Sequence, residues 1–256
     1  MAAVGSGMVG LFDSGLGGLA VVRELLRLRP DLPICYIADQ INAPYGPRPA
    51  AAVRRLCEGM SDCLLEHDCE PIVLACHTAS AAALYSLRGN HPEHRFVGLE
   101  PAVKPACQQT RTGEIGVLAT SGTLAGKPYA GVVERYANGA EVHTLDCRPF
   151  VELVESGIPN TETARRTISE LVMPFLAGKH IDQLVLACTH YAFLKTLIQK
   201  TVGSDIEVID PCEAVARQTL RVVDGLEQDL RSSQKKRGAA RLFATTGDVA
   251  RFEKSI

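Results

Sequence analysis

Two cysteines stand in matching local sequence. Ile72-Val73-Leu74-Ala75-Cys76-His77-Thr78 and Leu184-Val185-Leu186-Ala187-Cys188-Thr189-His190 each run from an apolar stretch through Leu-Ala-Cys into a His/Thr pair. A thiol with a reference pKa of about 8.5 can hold or release a proton close to neutrality. Two such thiols on opposite faces of one carbon can remove its proton from one side and return one to the other. That inverts a stereocentre by acid–base chemistry alone. Asp13 is placed to serve Cys76, and His190 to serve Cys188. Taken singly, each cysteine reads more simply as a buried strand residue. The matched pair with polar neighbours argues for chemistry.

The elements that must position these thiols alternate between short apolar runs and longer helical patterns. Val9-Gly10-Leu11-Phe12 reads as a buried strand ending in the turn Asp13-Ser14-Gly15. Residues 18–28 then read as helix, 34–38 as strand, 50–67 as helix, 71–75 as strand and 79–87 as helix. This alternation predicts βαβ units and a parallel sheet. The pattern restarts at Glu114-Ile115-Gly116-Val117-Leu118-Ala119, which ends in Thr120-Ser121-Gly122-Thr123. Gly116 lies 106 residues after Gly10, and Cys188 lies 112 after Cys76. These similar offsets imply an internal duplication. In parallel α/β sheets ligands bind beyond the carboxyl ends of strands, where helix N-termini offer free N–H groups. Asp13, Cys76, Thr120 and Cys188 all fall at such ends.

Composition narrows the function classes. A net charge of -2 provides no basic field for nucleic acid, and the absence of Trp with only 5% aromatics disfavours a stacking platform. No apolar run reaches the ~20 residues of a membrane span, and the start MAAVGSGMVG lacks a signal-peptide pattern. A cytoplasmic protein without membrane or nucleic-acid partners is expected. Nine cysteines, an odd number without an export signal, argue against a disulfide framework. Cys35, Cys57, Cys63, Cys69, Cys107, Cys147 and Cys212 read as core residues or unremarkable thiols. Residues 228–239 (QDLRSSQKKRGA) read as a solvated linker, and Arg241-Leu242-Phe243-Ala244-Thr245-Thr246 as a strand returning to the first sheet.

Five blocks together resemble the bacterial glutamate racemases of the aspartate/glutamate racemase superfamily. They are Gly10-Leu-Phe-Asp-Ser-Gly-Leu-Gly-Gly18, Ala43-Pro-Tyr-Gly46, Ala75-Cys-His-Thr78, Ala187-Cys-Thr-His-Tyr191 and Phe243-Ala-Thr-Thr-Gly-Asp248. The resemblance extends from Val9 to Phe252. It implies reversible interconversion of L- and D-glutamate with no cofactor and no metal, D-glutamate then entering peptidoglycan synthesis. By the family pattern Cys76 deprotonates the D-isomer and Cys188 the L-isomer. Asp13, His190 and Glu155 assist them. Ser14, Pro44, Tyr45, Gly46, Thr78, Thr120, Thr123 and Thr189 match positions that hold the substrate. His77 stands where the family usually has an Asn that contacts the amino-acid head; it differs in donor geometry and can carry charge. The family also implies a homodimer.

The expected fold is α/β: two similar parallel-sheet domains related by a pseudo-two-fold, with the active site in the cleft between them. The first is expected to comprise residues 1–99 plus 210–256, the second 100–209. Other readings of the same residues are a two-cysteine racemase for aspartate or another acidic amino acid, a zinc protein using Cys76, His77, Cys188 and His190, and an inactive binding homologue. Read alone, Glu155 is an exposed helical carboxylate.

Overall fold

A computed structural model describes residues 7–157, 161–229 and 240–255. Its strands are β1 (Met8–Asp13), β2 (Ile34–Ala38), β3 (Cys69–Leu74), β4 (Phe96–Gly98), β5 (Glu114–Ala119), β6 (Glu141–Asp146), β7 (Gln183–Ala187), β8 (Glu207–Ile209) and β9 (Arg241–Thr245). They form two sheets, ordered β4-β3-β1-β2-β9 and β6-β5-β7-β8. Every pairing is parallel. The protein is therefore α/β with two parallel sheets, as expected. Reversed, the second order reads β8-β7-β5-β6 and matches β4-β3-β1-β2 strand for strand. The duplication seen in sequence thus has a counterpart in topology, and β9 is an addition to the first sheet.

Both sheets are covered on both faces, which is why their central strands are apolar throughout. Along β1 the side chains alternate between two cores: Val9 and Leu11 face one, Met8 and Phe12 the other. Around β5 and β7 the same division places Leu118, Leu184 and Leu186 on one face and Val117, Ala119 and Val185 on the other. Each fully buried side chain of this size contributes roughly 1.5–3 kcal/mol. The helix Leu19–Leu28 buries Ala20, Val21, Val22 and Leu25, in one cluster with Val215, Ala216 and Val223 of the helix Cys212–Asp229. Ala192 and Phe193, which follow Cys188, also pack into this first-sheet core. That contact ties the two sheets together beside the second cysteine.

Several boundaries differ from the sequence reading, for identifiable reasons. β3 starts at Cys69 because Cys69 pairs with Met8 ahead of a register shift. The helix His77–Asn90 starts two residues early because Cys76 caps it, Sγ accepting the Ala79 N–H at 3.5 Å. After Cys188 the chain runs first through a 3₁₀ segment, Thr189–Leu194, and only then into the helix Lys195–Val202. The expected linker lies largely outside the described residues, and its first two residues, Gln228 and Asp229, extend the preceding helix. No helix among the described residues is long and apolar enough to cross a membrane.

Candidate active site

Cys76 follows β3 and Cys188 follows β7, at the carboxyl ends of equivalent strands in the two sheets. Both line one small cavity of about 20 Å³, room for about one water molecule. Ser14, Pro44, Tyr45 and Gly46 line it from the first sheet's side, with His77 and Thr78. Thr120, Thr123, Thr189 and His190 line it from the second. Asp13 and Glu155 are not part of that lining but hydrogen-bond to residues that are.

On the Cys76 side the contact with Asp13 is indirect. Cys76 Sγ donates to Ser14 Oγ at 3.8 Å, and Ser14 Oγ donates to Asp13 Oδ1 at 3.4 Å. Asp13 is fully buried and also accepts the Gly15 N–H at 2.8 Å and the Thr189 hydroxyl at 3.0 Å. Burial raises its pKa from 3.8 to about 6, against the pull of His190 and of these donors. Burial, then the Asp13 charge, pushes Cys76 up to about 12, so the resting residue is a neutral thiol.

The Cys188 side is a chain of three groups. His190 Nδ1 lies 3.7 Å from Cys188 Sγ, and its Nε2 lies 2.6 Å from Glu155 Oε1. Burial opposes a charge on His190, yet its contacts with Cys188 and Glu155 prevail and hold its pKa well above the ordinary value. Burial would likewise raise Glu155; hydrogen bonds from His190, Leu16 and Gln40 outweigh it and hold the carboxyl below the usual range. Glu155 is not the exposed helical carboxylate that its isolated sequence suggests. Its side chain is 20% exposed, and it accepts the Leu16 N–H at 2.7 Å from across the cleft.

Three hydroxyls meet at the seam between the sheets. Thr78 Oγ1 lies 3.1 Å from Thr120 Oγ1 and 3.3 Å from Thr123 Oγ1. His77 is 3% exposed, and neither ring nitrogen has a hydrogen-bond partner. Burial lowers its pKa to about 3, so the ring is neutral at physiological pH. Tyr45 presents its ring to the cavity and spends its hydroxyl on Asp39 Oδ2, at 2.6 Å.

The walls approach one another through glycines. A Cβ on Gly15 would fall 2.0 Å from Glu155 Oε1, and one on Gly17 would fall 2.5 Å from Thr189 Oγ1. On Gly122 it would fall 2.4 Å from the Gly46 carbonyl. Sequence reasoning passed over Val151 and Gln40. Val151, which lines the cavity, stands four residues before Glu155 on the helix Arg148–Glu155 and so shares its face. That spacing was a usable signal. Gln40 carries none in sequence.

Cys76, His77, Cys188 and His190, the zinc grouping, all line the cavity, but no three of them bring ligand atoms within 4.8 Å of one another. Among the described residues, the one trio of potential ligands within 4.8 Å of each other is Glu114, Glu141 and His143. Glu114 and Glu141 start β5 and β6, at the opposite end of the second sheet from the cavity.

The cavity is lined by two cysteines, one from each sheet's strand ends, each hydrogen-bonded to its own set of polar groups. Such a cleft can take a proton from one face of a small molecule and return one to the other. The chain belongs to the Asp/Glu/hydantoin racemase family, whose model matches residues 19–219. It is 43% identical to the glutamate racemase of Pseudomonas aeruginosa over 86% of this chain and 83% of that one. Among solved structures, the Escherichia coli glutamate racemase in complex with L-glutamate and the activator UDP-MurNAc-Ala superposes with a TM-score of 0.83. That match has 27% identity and covers 97% of this chain and 92% of the other. The Francisella tularensis glutamate racemase in complex with D-glutamate gives a TM-score of 0.82 at 25% identity, covering 98% and 92%.

Proposed function

We propose that this chain interconverts L- and D-glutamate by two-base proton transfer, with Cys76 and Cys188 as the reacting groups. The observation that carries this reading is the shared cavity: two cysteines from equivalent strand ends of the two sheets both line it. Family membership and the glutamate-bound relatives supply the substrate.

In the L-to-D direction Cys188, as thiolate, takes the α-proton of L-glutamate; His190, held as imidazolium beside Glu155, donates from Nδ1 to the thiolate until that transfer. Cys76 delivers its own proton to the opposite face of the carbanion. The high pKa of Cys76 suits it to that role, since it enters the step as a thiol. For the D-to-L direction Cys76 must first lose its proton, and the Ser14–Asp13 pair is placed to take it: Asp13 is ionised above about pH 6 and reaches Cys76 through Ser14. The D-to-L direction runs the same transfers backwards from the opposite protonation state. The hydroxyls of Thr78, Thr120 and Thr123 hold a substrate carboxylate by turning from one another towards it. The unpartnered nitrogens of His77 supply a neutral contact to the amino-acid head, while Ser14, Thr189, Pro44, Tyr45 and Gly46 shape the remaining wall.

The same reading divides the chain into units of residues 1–99 plus 210–256 and 100–209, and assigns a homodimer in the cytoplasm that supplies D-glutamate for peptidoglycan. Sedimentation across a concentration range tests the dimer.

The decisive test follows circular dichroism at constant substrate, starting from each pure isomer, without added cofactor. Wild type should carry both to the racemic mixture. Cys76→Ala and Cys188→Ala should each slow this by roughly 10²–10⁴-fold, the worth of a positioned acid or base. Full activity in either variant would sink the mechanism, and inert glutamate alongside active aspartate would reassign the substrate.

A further inference from the structure

Glu155 is held from two sides, and only one of them belongs to the relay described above. Its Oε1 accepts from His190 and Leu16. Its Oε2 accepts from Gln40 Nε2 at 3.2 Å. Gln40 sits in a short 3₁₀ turn, Gln40–Asn42, beyond the end of β2, and is half-buried. The other end of its amide is also engaged: Gln40 Oε1 accepts the Thr245 hydroxyl at 2.8 Å. Thr245 in turn accepts the Gly247 N–H at 2.9 Å, which leaves its hydroxyl proton free to point at Gln40. The direction of this chain is fixed by chemistry. A carboxylate only accepts, so the amide must turn its NH₂ to Glu155 and its oxygen to Thr245. A second tie lies nearby, where Arg251 Nη2 donates to the backbone oxygen of Glu155 at 2.6 Å.

Thr245 ends β9, and Arg251 lies on the helix Val249–Glu253 that follows it. The last described stretch of the chain therefore holds Glu155 at two points, its carboxylate through Gln40 and its backbone through Arg251. The glycine at 247 lets this happen, since a Cβ there would fall 2.9 Å from Gln40 Cβ.

We propose that Gln40 is a positioning residue for the Cys188 face of the reaction. It locks the rotation of the Glu155 carboxylate and links β9 to the proton relay. This rests on the reading of Cys188, His190 and Glu155 as one base. Without Gln40, Oε1 keeps its partners while Oε2 is free to swing, and His190 loses a fixed orientation towards Cys188. The thiol at Cys76 is untouched, because no link in this chain reaches it.

Such one-sided damage has a kinetic signature. The test compares wild type, Gln40→Leu, Thr245→Val, Gln40→Glu and Glu155→Gln, using L- and D-glutamate deuterated at Cα. In Gln40→Leu, kcat should fall between about 10- and 100-fold, as for a catalytic group left mispositioned. KM should stay within about twofold, because the defect lies in the transition state rather than in binding. Slower transfer at Cys188 should raise the isotope effect from L-glutamate and lower it from D-glutamate. Thr245→Val should shift both effects in the same directions, by less. Gln40→Glu can donate to Glu155 only when protonated, so its activity relative to wild type should recover as pH falls.

Equal isotope effects on the two isomers, unchanged from wild type, would overturn the proposal, as would a Gln40→Glu ratio that is flat with pH. If Glu155→Gln is inactive while Gln40→Leu behaves as wild type, this inference fails alone. If Glu155→Gln retains full turnover, or wild type does not racemise glutamate, the reading of the Cys188 face fails and takes this one with it.

Discussion

Asp13, to which the proposed mechanism gives a proton-accepting role, is also placed where it lowers stability. It is fully buried, and burial lifts its pKa from 3.8 to about 6. The fold therefore prefers the neutral carboxyl by about 3 kcal/mol. That contribution is complete below the unfolded pKa and is lost as pH rises through the folded one. Wild type should thus gain stability relative to Asp13→Asn as pH falls from about 7 to about 4, by up to about 3 kcal/mol. Denaturant midpoints at several pH values measure this; a difference independent of pH would mean that the carboxyl is not perturbed. Activity runs the other way. With Asp13 ionised to receive the Cys76 proton through Ser14, kcat/KM for D-glutamate should decline below about pH 6, and Asp13→Asn should lose that limb. His77 adds no limb of its own, since burial holds it at about 3. A pH profile of His77→Asn that matches wild type would support this assignment.

Among the elements, the loops and helix starts that meet across the cleft do so without side chains. Gly122 lies in the short helix Ser121–Leu124 that follows β5 and rests against the carbonyl of Gly46. Gly122→Ala would push the two walls apart there. A displacement of that size at the reacting groups should cost about 10²-fold in kcat/KM. Gly59 is the control: it lies exposed within the helix Ala50–Glu66, and a Cβ added there would meet nothing within 4 Å. There Ala should raise stability by roughly 0.5–1 kcal/mol and leave turnover unchanged. Equal losses in both variants would show that closure at Gly46 is not the cause. At this scale the sequence is informative where the strands are long and buried: β2 and β5 read from it with their observed bounds. β4 and β8, three residues each, are too short to show a period. β6 is an edge strand that buries no residue fully, so its alternation is blurred.

Across the whole molecule, the cavity between the thiols holds about 20 Å³, room for one water rather than an amino acid. Turnover therefore requires the walls to part and close again. The seams to be broken are Thr78 against Thr120 and Thr123, Leu16 against Glu155, and Thr189 against Asp13. Saturating glutamate should stabilise the closed state. Small-angle scattering should then show a lower radius of gyration than in its absence, and identical profiles would count against closure.

The two cysteines, their strand-end positions, the duplication and the family were legible in sequence because they rest on local order: an apolar run, a polar end, a repeat of both. Asp13 and His190 were legible because each lies next to such an end. The route from each thiol to its partner was not. Ser14 stands between Cys76 and Asp13, Glu155 reaches across the cleft to Leu16, and Gln40 joins it to β9. These contacts link residues up to 205 positions apart, and a hydrogen bond depends on distances that spacing along the chain does not encode. The protonation states followed only from burial, since the same Asp, Cys or His in water would keep its ordinary pKa. Sequence determined which groups are present and at which strand ends; packing of the two sheets decided which of them touch and which carry charge.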